Sequence, residues 1–335
     1  MPATTRSTVL VTGSEGQTAS ALVDLLSLSP NQFDTRTVSL SKSDVSSLED
    51  IFSTTRIDSI FLVPPQTRDA IARVRILLDV AQQHNVAYVV LVSMLGAEDQ
   101  TGTFAEHFTE MEHHLQSSRL PHTILRTSPL QQNFLHLADD FHQPIPTIAL
   151  PISNGSFAPV HAKDVARAAV ALLSNPSRHL NRTYTLTGPD LLTGVEIAGR
   201  ASMAIDRPVR FRNGSIAQAR AQMRRIREEH ETGRLQEWFI QSVVQVYQAI
   251  AAGHYQMVTS DVLALTGRPA TPIDIFFQEN KSVFNKSEGS VNDHHDTRPA
   301  ACIMDRSADY VSVAYKGAYG TGLGRYVLLP LPAKL

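Results

Sequence analysis

Residues 8–28 constrain this chain more than any other stretch, because their periodicity changes at a pair of glycines. The run TVLVT (residues 8–12) is apolar and β-branched without polar alternation, as in a parallel strand covered on both faces. The following GSEGQTASALVDLLSL takes helical spacing, with Ala19, Leu22, Val23, Leu25 and Leu26 on one side. Gly13 permits a tight turn out of the strand, Gly16 lets the backbone approach a pyrophosphate, and Ala19 allows close helix–strand packing. Thr12, Gln17 and Thr18 complete the turn, and the unpaired N–H groups of the helix start favour phosphate oxygens. Glu15 puts a carboxylate in the same turn, where it opposes incoming phosphates.

The alternation continues. Strands are expected at 37–40, 57–63 (IDSIFLV, ended by Pro64 and Pro65), 87–92 (AYVVLV) and 122–126, with helices at 46–53, 70–84 and 104–117. This order predicts an α/β chain with a Rossmann-type parallel sheet, helices on both faces and a smaller C-terminal α+β substrate lobe. The expected division is a dinucleotide-binding domain at 1–142, a substrate lobe interleaved with it at 143–285, and a polar, turn-rich tail at 286–335. Helices are expected at 194–204 and 216–253, the second bearing a mixed-charge run from Arg220 to Glu231 that reads as a solvated face.

A net charge of −2 gives no electrostatic reason to expect nucleic acid or an anionic membrane as partner, and no apolar run is long enough to span a bilayer. The polar start and the single cysteine, Cys302, lead to a cytoplasmic expectation.

Seven ordered segments are similar to the NmrA-like branch of the short-chain dehydrogenases/reductases, above all to its fungal ergot-alkaloid dehydrogenase-like members. They are VTGSEGQTA, FLVPP (61–65), LVSMLGA (91–97), EMEHHLQSSRLPHTILRTSPLQQNF (110–134), FAPVHAKDVARAAVALL (157–173), TYTLTGPDLLTGVEIA (183–198) and SDVLALTGRPATPIDIFFQEN (260–280). The resemblance implies a cofactor over the glycine turn, NADP with NAD open beside it. It also implies a small-molecule substrate in a cleft lined by Pro64, Pro65 and Gln66, by Ser93 and Met94, and by Thr127, Pro129 and Asn133. Asn133 matches an asparagine near the nicotinamide end in that family.

Three departures bear on chemistry. One strand at 36–41 stands where the family has two, so Arg36 and Lys42 are the only nearby cations for a 2′-phosphate or else plain surface charges, and Asp44 serves a ribose hydroxyl or caps the next helix. No tyrosine is followed four residues later by lysine, which leaves Ser93 as the hydroxyl for a substrate oxygen or as a plain strand-end hydroxyl. Many relatives carry Lys or His at the position of Phe108; here His107 lies beside it as a substitute acid, about 100° away on the helix. The nearby Glu110, His113 and His114 read as helix surface rather than metal ligands.

These features support a NAD(P)H-dependent reductase acting on a C=N or C=C bond of a small cyclic metabolite such as an alkaloid. An iminium accepts hydride without a strong acid, which fits the missing Tyr/Lys pair. The alternatives are a non-catalytic dinucleotide-binding regulator of a protein partner, and a relative that has lost its activity.

Overall fold

The computed structural model describes residues 6–41, 43, 45–99, 102–230, 237–285, 310–313 and 327–330. Its first half alternates strictly: β1 (Ser7–Thr12), α1 (Gln17–Ser27), β2 (Phe33–Val38), α2 (Val45–Thr54), β3 (Ser59–Leu62), α3 (Ala70–Gln83), β4 (Tyr88–Met94), α4 (Thr103–Ser117) and β5 (His122–Thr127). A short helix α5 (Ala138–Phe141), strands β6 (Thr147–Leu150) and β7 (Ser156–Phe157), helix α6 (Ala162–Ser174) and strand β8 (Arg182–Leu186) follow. The chain continues through β9 (Leu192–Thr193), α7 (Gly194–Ile205), β10 (Arg210–Asn213), α8 (Ile216–His230) and α9 (Glu237–Ala251). It then runs through α10 (Asp261–Thr266), α11 (Ile273–Glu279), α12 (Lys281–Phe284), β11 (Tyr310–Val313) and β12 (Val327–Pro330).

Six parallel strands form the main sheet in the order β2-β1-β3-β4-β5-β8. Because side chains alternate along a strand, each strand feeds two cores. Leu10, Ile60, Leu62, Val89, Leu91 and Ile124 face α2, α3 and α4, meeting Phe52, Leu77, Met111 and Leu115. Val9, Val11, Phe61, Val90 and Leu125 face α1 and α6, meeting Leu22, Leu26, Val165 and Leu172. Burial on both sides explains why these strands read as unbroken apolar runs.

A third core lies outside the sheet. Phe134, Phe141, Phe157, Ile197, Ile250, Phe276, Phe277 and Phe284 pack together beside two small pairings, β6 with β10 and β7 with β9. Residues after 142 thus serve both bodies, since α6 and β8 belong to the main sheet layer. Asp164 on α6 stitches the two: wholly buried, it accepts from the backbone N–H and the hydroxyl of Thr271, just ahead of α11, and pairs with Arg167.

Three sequence expectations shift. The second strand runs Phe33–Val38, earlier than 36–41, because buried Phe33 and Val38 anchor its two ends and the chain turns away after Ser39. The long helix expected at 216–253 divides into α8 and α9, with 231–236 outside the described residues. Of the mixed-charge run, Arg220 and Arg224 pair with Glu237 across the two helices, with Arg224 and Glu237 exposed as a solvated face implies. In the tail, whose composition shows no period, β11 and β12 form an antiparallel pair.

Candidate cofactor and active site

The glycine turn stands at the carboxyl end of β1. Gly13 adopts φ +65°, a left-handed conformation that side chains disfavour, and a Cβ there would meet Val63 at 3.4 Å. Gly16 donates its N–H to the Gly13 carbonyl at 2.8 Å and caps α1. No side chain caps that helix, and its first turn holds no acidic residue. Its leading N–H groups, from Gln17 and Thr18 on, are therefore unclaimed by any side-chain cap at the place where the dipole is positive. This arrangement fits a pyrophosphate.

The side chains of the turn divide in role. Thr12 is wholly buried, and its hydroxyl donates to the Val63 carbonyl and accepts the Val63 N–H, both at 2.8 Å. It locks the ends of β1 and β3 together and sets the turn from below. Gln17 is exposed and Thr18 buried. Glu15 is exposed, and its carboxylate accepts the Ser39 hydroxyl at 2.9 Å, which draws it toward the end of β2, where the adenosine ribose lies in folds of this kind. Arg36 is tied to Asp34 at 3.3 Å. Lys42 and Asp44 lie outside the described residues.

Pro64 and Pro65 follow β3 at the next position along the same rim, Pro64 buried and Pro65 half-buried. Ser93 and Met94 are the last two residues of β4, inside the strand rather than beyond it. Ser93 is buried, and its hydroxyl donates to Glu112 at 2.5 Å. Glu112, itself buried on α4, receives two further bonds from Arg126 on β5, at 3.1 and 2.7 Å. Arg126 reaches Glu98 with its remaining nitrogen at 2.6 Å. The Ser93 hydroxyl therefore belongs to an ionic network, buried at Ser93 and Glu112 and open at Glu98, that braces β4, α4 and β5. Thr127 ends β5 and donates to the Ser93 carbonyl at 3.2 Å. Asn133 sits exposed on the 3-10 turn that follows, near Gln132, which contacts buried His161 at 3.0 Å. Burial, reinforced by the charges of Lys163 and Arg167, lowers the His161 pKa to about 4 and keeps its imidazole neutral.

His107 lies near the start of α4, half-buried against Trp238 of α9, with ring centroids 5.1 Å apart. Burial pushes its pKa below the ordinary histidine value; Glu110 and Glu106 oppose that shift and Arg68 assists it. Its Nδ1 is buried with no hydrogen-bond partner among the described residues. Phe108 instead packs into the core beneath. Among the described residues no cluster of three or more metal-ligating side chains occurs, and Glu110 pairs with Arg75.

The Glu112–Arg126 pair and Trp238 carry no role in a reading by motif. A signal existed for the first: Arg126 follows Ile124 and Leu125 in a strand, and a charge in a largely buried strand needs a partner.

A six-stranded parallel sheet with an anion-ready helix start at its first strand is shared by many proteins; the sequence match decides among them. Residues 31–250 match the NmrA-like family. The chain belongs to that family. It is 26% identical over 230 residues to NAD(P)H azoreductase of Xenophilus azovorans, covering 68% of this chain and 77% of that protein. It is 24% identical over 303 residues to agroclavine dehydrogenase of Claviceps fusiformis, covering 83% and 98%. Its fold is similar to that of an NADPH-dependent quinone oxidoreductase from Escherichia coli in complex with NADPH, with a TM-score of 0.67 and 17% identity over 81% of this chain and 99% of that one. It also resembles NmrA, a negative transcriptional regulator, in complex with NADP, at 0.66 and 14% over 85% and 98%. No helix among the described residues is long and apolar enough to cross a membrane.

Proposed function

We propose that this NmrA-like protein is an NAD(P)H-dependent reductase, with NADP(H) the preferred cofactor, acting on a C=N or C=C bond of a small cyclic metabolite. The observation that carries the reading is the α1 start: a glycine turn with no side-chain cap and no acid in its first turn, at the carboxyl end of β1. The Gly13, Gly16, Gln17 and Thr18 backbone would hold the pyrophosphate, with Thr12 fixing the turn from below. Pro64 and Pro65 would border the dinucleotide, and Asn133 would stand at its nicotinamide end. When bound, the reduced nicotinamide supplies the hydride.

The Ser93 hydroxyl proton is engaged by Glu112 rather than offered to a substrate oxygen. A neutral His107 is a poor acid at pH 7. Both features suit a substrate that already carries positive charge, such as an iminium, where alignment replaces protonation. Relatives named as azoreductase and agroclavine dehydrogenase support hydride delivery to nitrogen-containing acceptors.

Titration with NADPH and NADH, followed by cofactor fluorescence, tests the reading; micromolar binding of either supports it, and binding of neither at millimolar concentration ends it. A second reading, a dinucleotide-binding regulator of a protein partner, draws on the same committed Ser93 and on the likeness to NmrA. Cofactor binding with no turnover of any iminium, enone or azo acceptor would favour it.

A further inference from the structure

The molecule contains two aromatic clusters of opposite character. In the second lobe Phe134, Phe141, Phe276, Phe277 and Phe284 touch ring to ring and are closed off, none more than 4% exposed. Between α4 and α9, Phe104, His107, Trp238 and Phe239 also touch ring to ring, yet all four keep part of their surface open. Phe104 meets Trp238 at 5.4 Å and Phe239 at 5.5 Å, both edge to face, and His107 is tilted against Trp238 at 5.1 Å with planes 32° apart.

The place of the open cluster in the fold is telling. Helix α4 begins soon after the chain leaves the carboxyl end of β4, and Arg68, whose charge reaches His107, follows Pro64 and Pro65 at the carboxyl end of neighbouring β3. The open rings thus stand at the rim where sheets of this class receive their ligands. Helix α9 is held there by Gln245, whose side-chain oxygen accepts the Thr103 N–H at 2.9 Å; Gly102, at φ +102°, leaves room for that approach.

We propose that Phe104, His107, Trp238 and Phe239 form the acceptor subsite of the reductase, a π-surface that selects flat aromatic ring systems by stacking and rejects saturated rings of equal size. This rests on the reductase reading for its role, while its binding is measurable apart from it. Stacking rewards a flat π-face with matched edges, and a puckered saturated ring gains only contact area.

The chain has a single tryptophan, so Trp238 emission reports on this surface alone. Menadione is titrated into the full-length protein with and without NADP+, alongside 2-decalone as the saturated counterpart. Affinities for variants are taken by calorimetry, and NADPH binding is measured separately. The expected result is saturable quenching by menadione, at least tenfold weaker binding of 2-decalone, and about tenfold weaker menadione binding in Trp238→Leu with NADPH affinity unchanged. Phe104→Leu, which trims the surface from α4, is expected to weaken menadione several-fold and covers the case in which Trp238→Leu does not fold.

Equal affinity for the two probes, non-saturating collisional quenching, or wild-type menadione affinity in the variants would overturn the subsite. Loss of NADPH binding with Trp238-dependent menadione binding intact would instead remove the reductase reading and leave the subsite standing.

Discussion

The two ends of the proposed site are built by different means. The phosphate end is backbone: two glycines and the start of α1, locked by one threonine hydroxyl across to Val63. The proposed acceptor end is side chain: Ser93, Glu112, Arg126 and Glu98 on one hand, and a half-open set of rings from α4 and α9 on the other. A backbone site depends on conformation and tolerates little variation in a few positions. A side-chain site depends on partners brought together by the whole fold, so its parts can change while the scaffold persists.

If the acceptor end is a buried ionic frame, its largest failure follows removal of the central carboxylate. Glu112→Ala leaves the part-buried Arg126 with only the exposed Glu98 opposite it, and a loss of about 3 kcal/mol, the low end for breaking a buried pair, is expected in urea unfolding; a change below 1 kcal/mol would mean that Glu98 alone satisfies the arginine. Ser93→Ala removes one bond to a charged acceptor, for about 1.5–3 kcal/mol of stability. Because the hydroxyl is engaged by Glu112, its kcat should change less than threefold for any acceptor found. A hundredfold fall in kcat at constant stability would return Ser93 to the chemistry.

The phosphate end should respond in binding. Gly13→Ala forces a side chain into a left-handed conformation at a cost of about 1–2 kcal/mol, and roughly tenfold weaker NADPH binding is expected. The smallest effect belongs to Glu15→Gln. Removing an exposed carboxylate beside the phosphate path should tighten NADPH a few-fold at low salt, with the gain fading at high salt. An unchanged affinity at both ionic strengths would place Glu15 outside the field of the cofactor.

The same contrast explains what the sequence made legible. The strand–turn–helix at residues 8–28 was readable because local conformation forces the residue types, glycine at a positive φ and an apolar strand before it. The two-sided cores were readable because burial on both faces leaves no polar alternation. The boundary of β2 was misplaced by three residues, since its exposed middle, Thr35 to Thr37, carries no strong pattern and only the distant burial of Phe33 sets its start. The acceptor end was least legible. Phe104 and Trp238 meet across more than 130 residues of chain, and no spacing rule connects them. Ser93 was singled out by its position, but its engagement with Glu112 depends on how α4 lies against β4 and β5.

The placement of β2 at the rim of the sheet has a consequence for life in a crowded solution. A rim strand with no described neighbour beyond it offers its free amides and carbonyls to any extended chain that drifts past, which is how ordered aggregates begin. Asp34 and Arg36 sit two residues apart along that strand, paired at 3.3 Å, with Arg6 a further 3.6 Å from Asp34. An incoming strand would have to strip water from all three charges before its first backbone bond formed, so the shortened second-strand region carries its own guard against self-association.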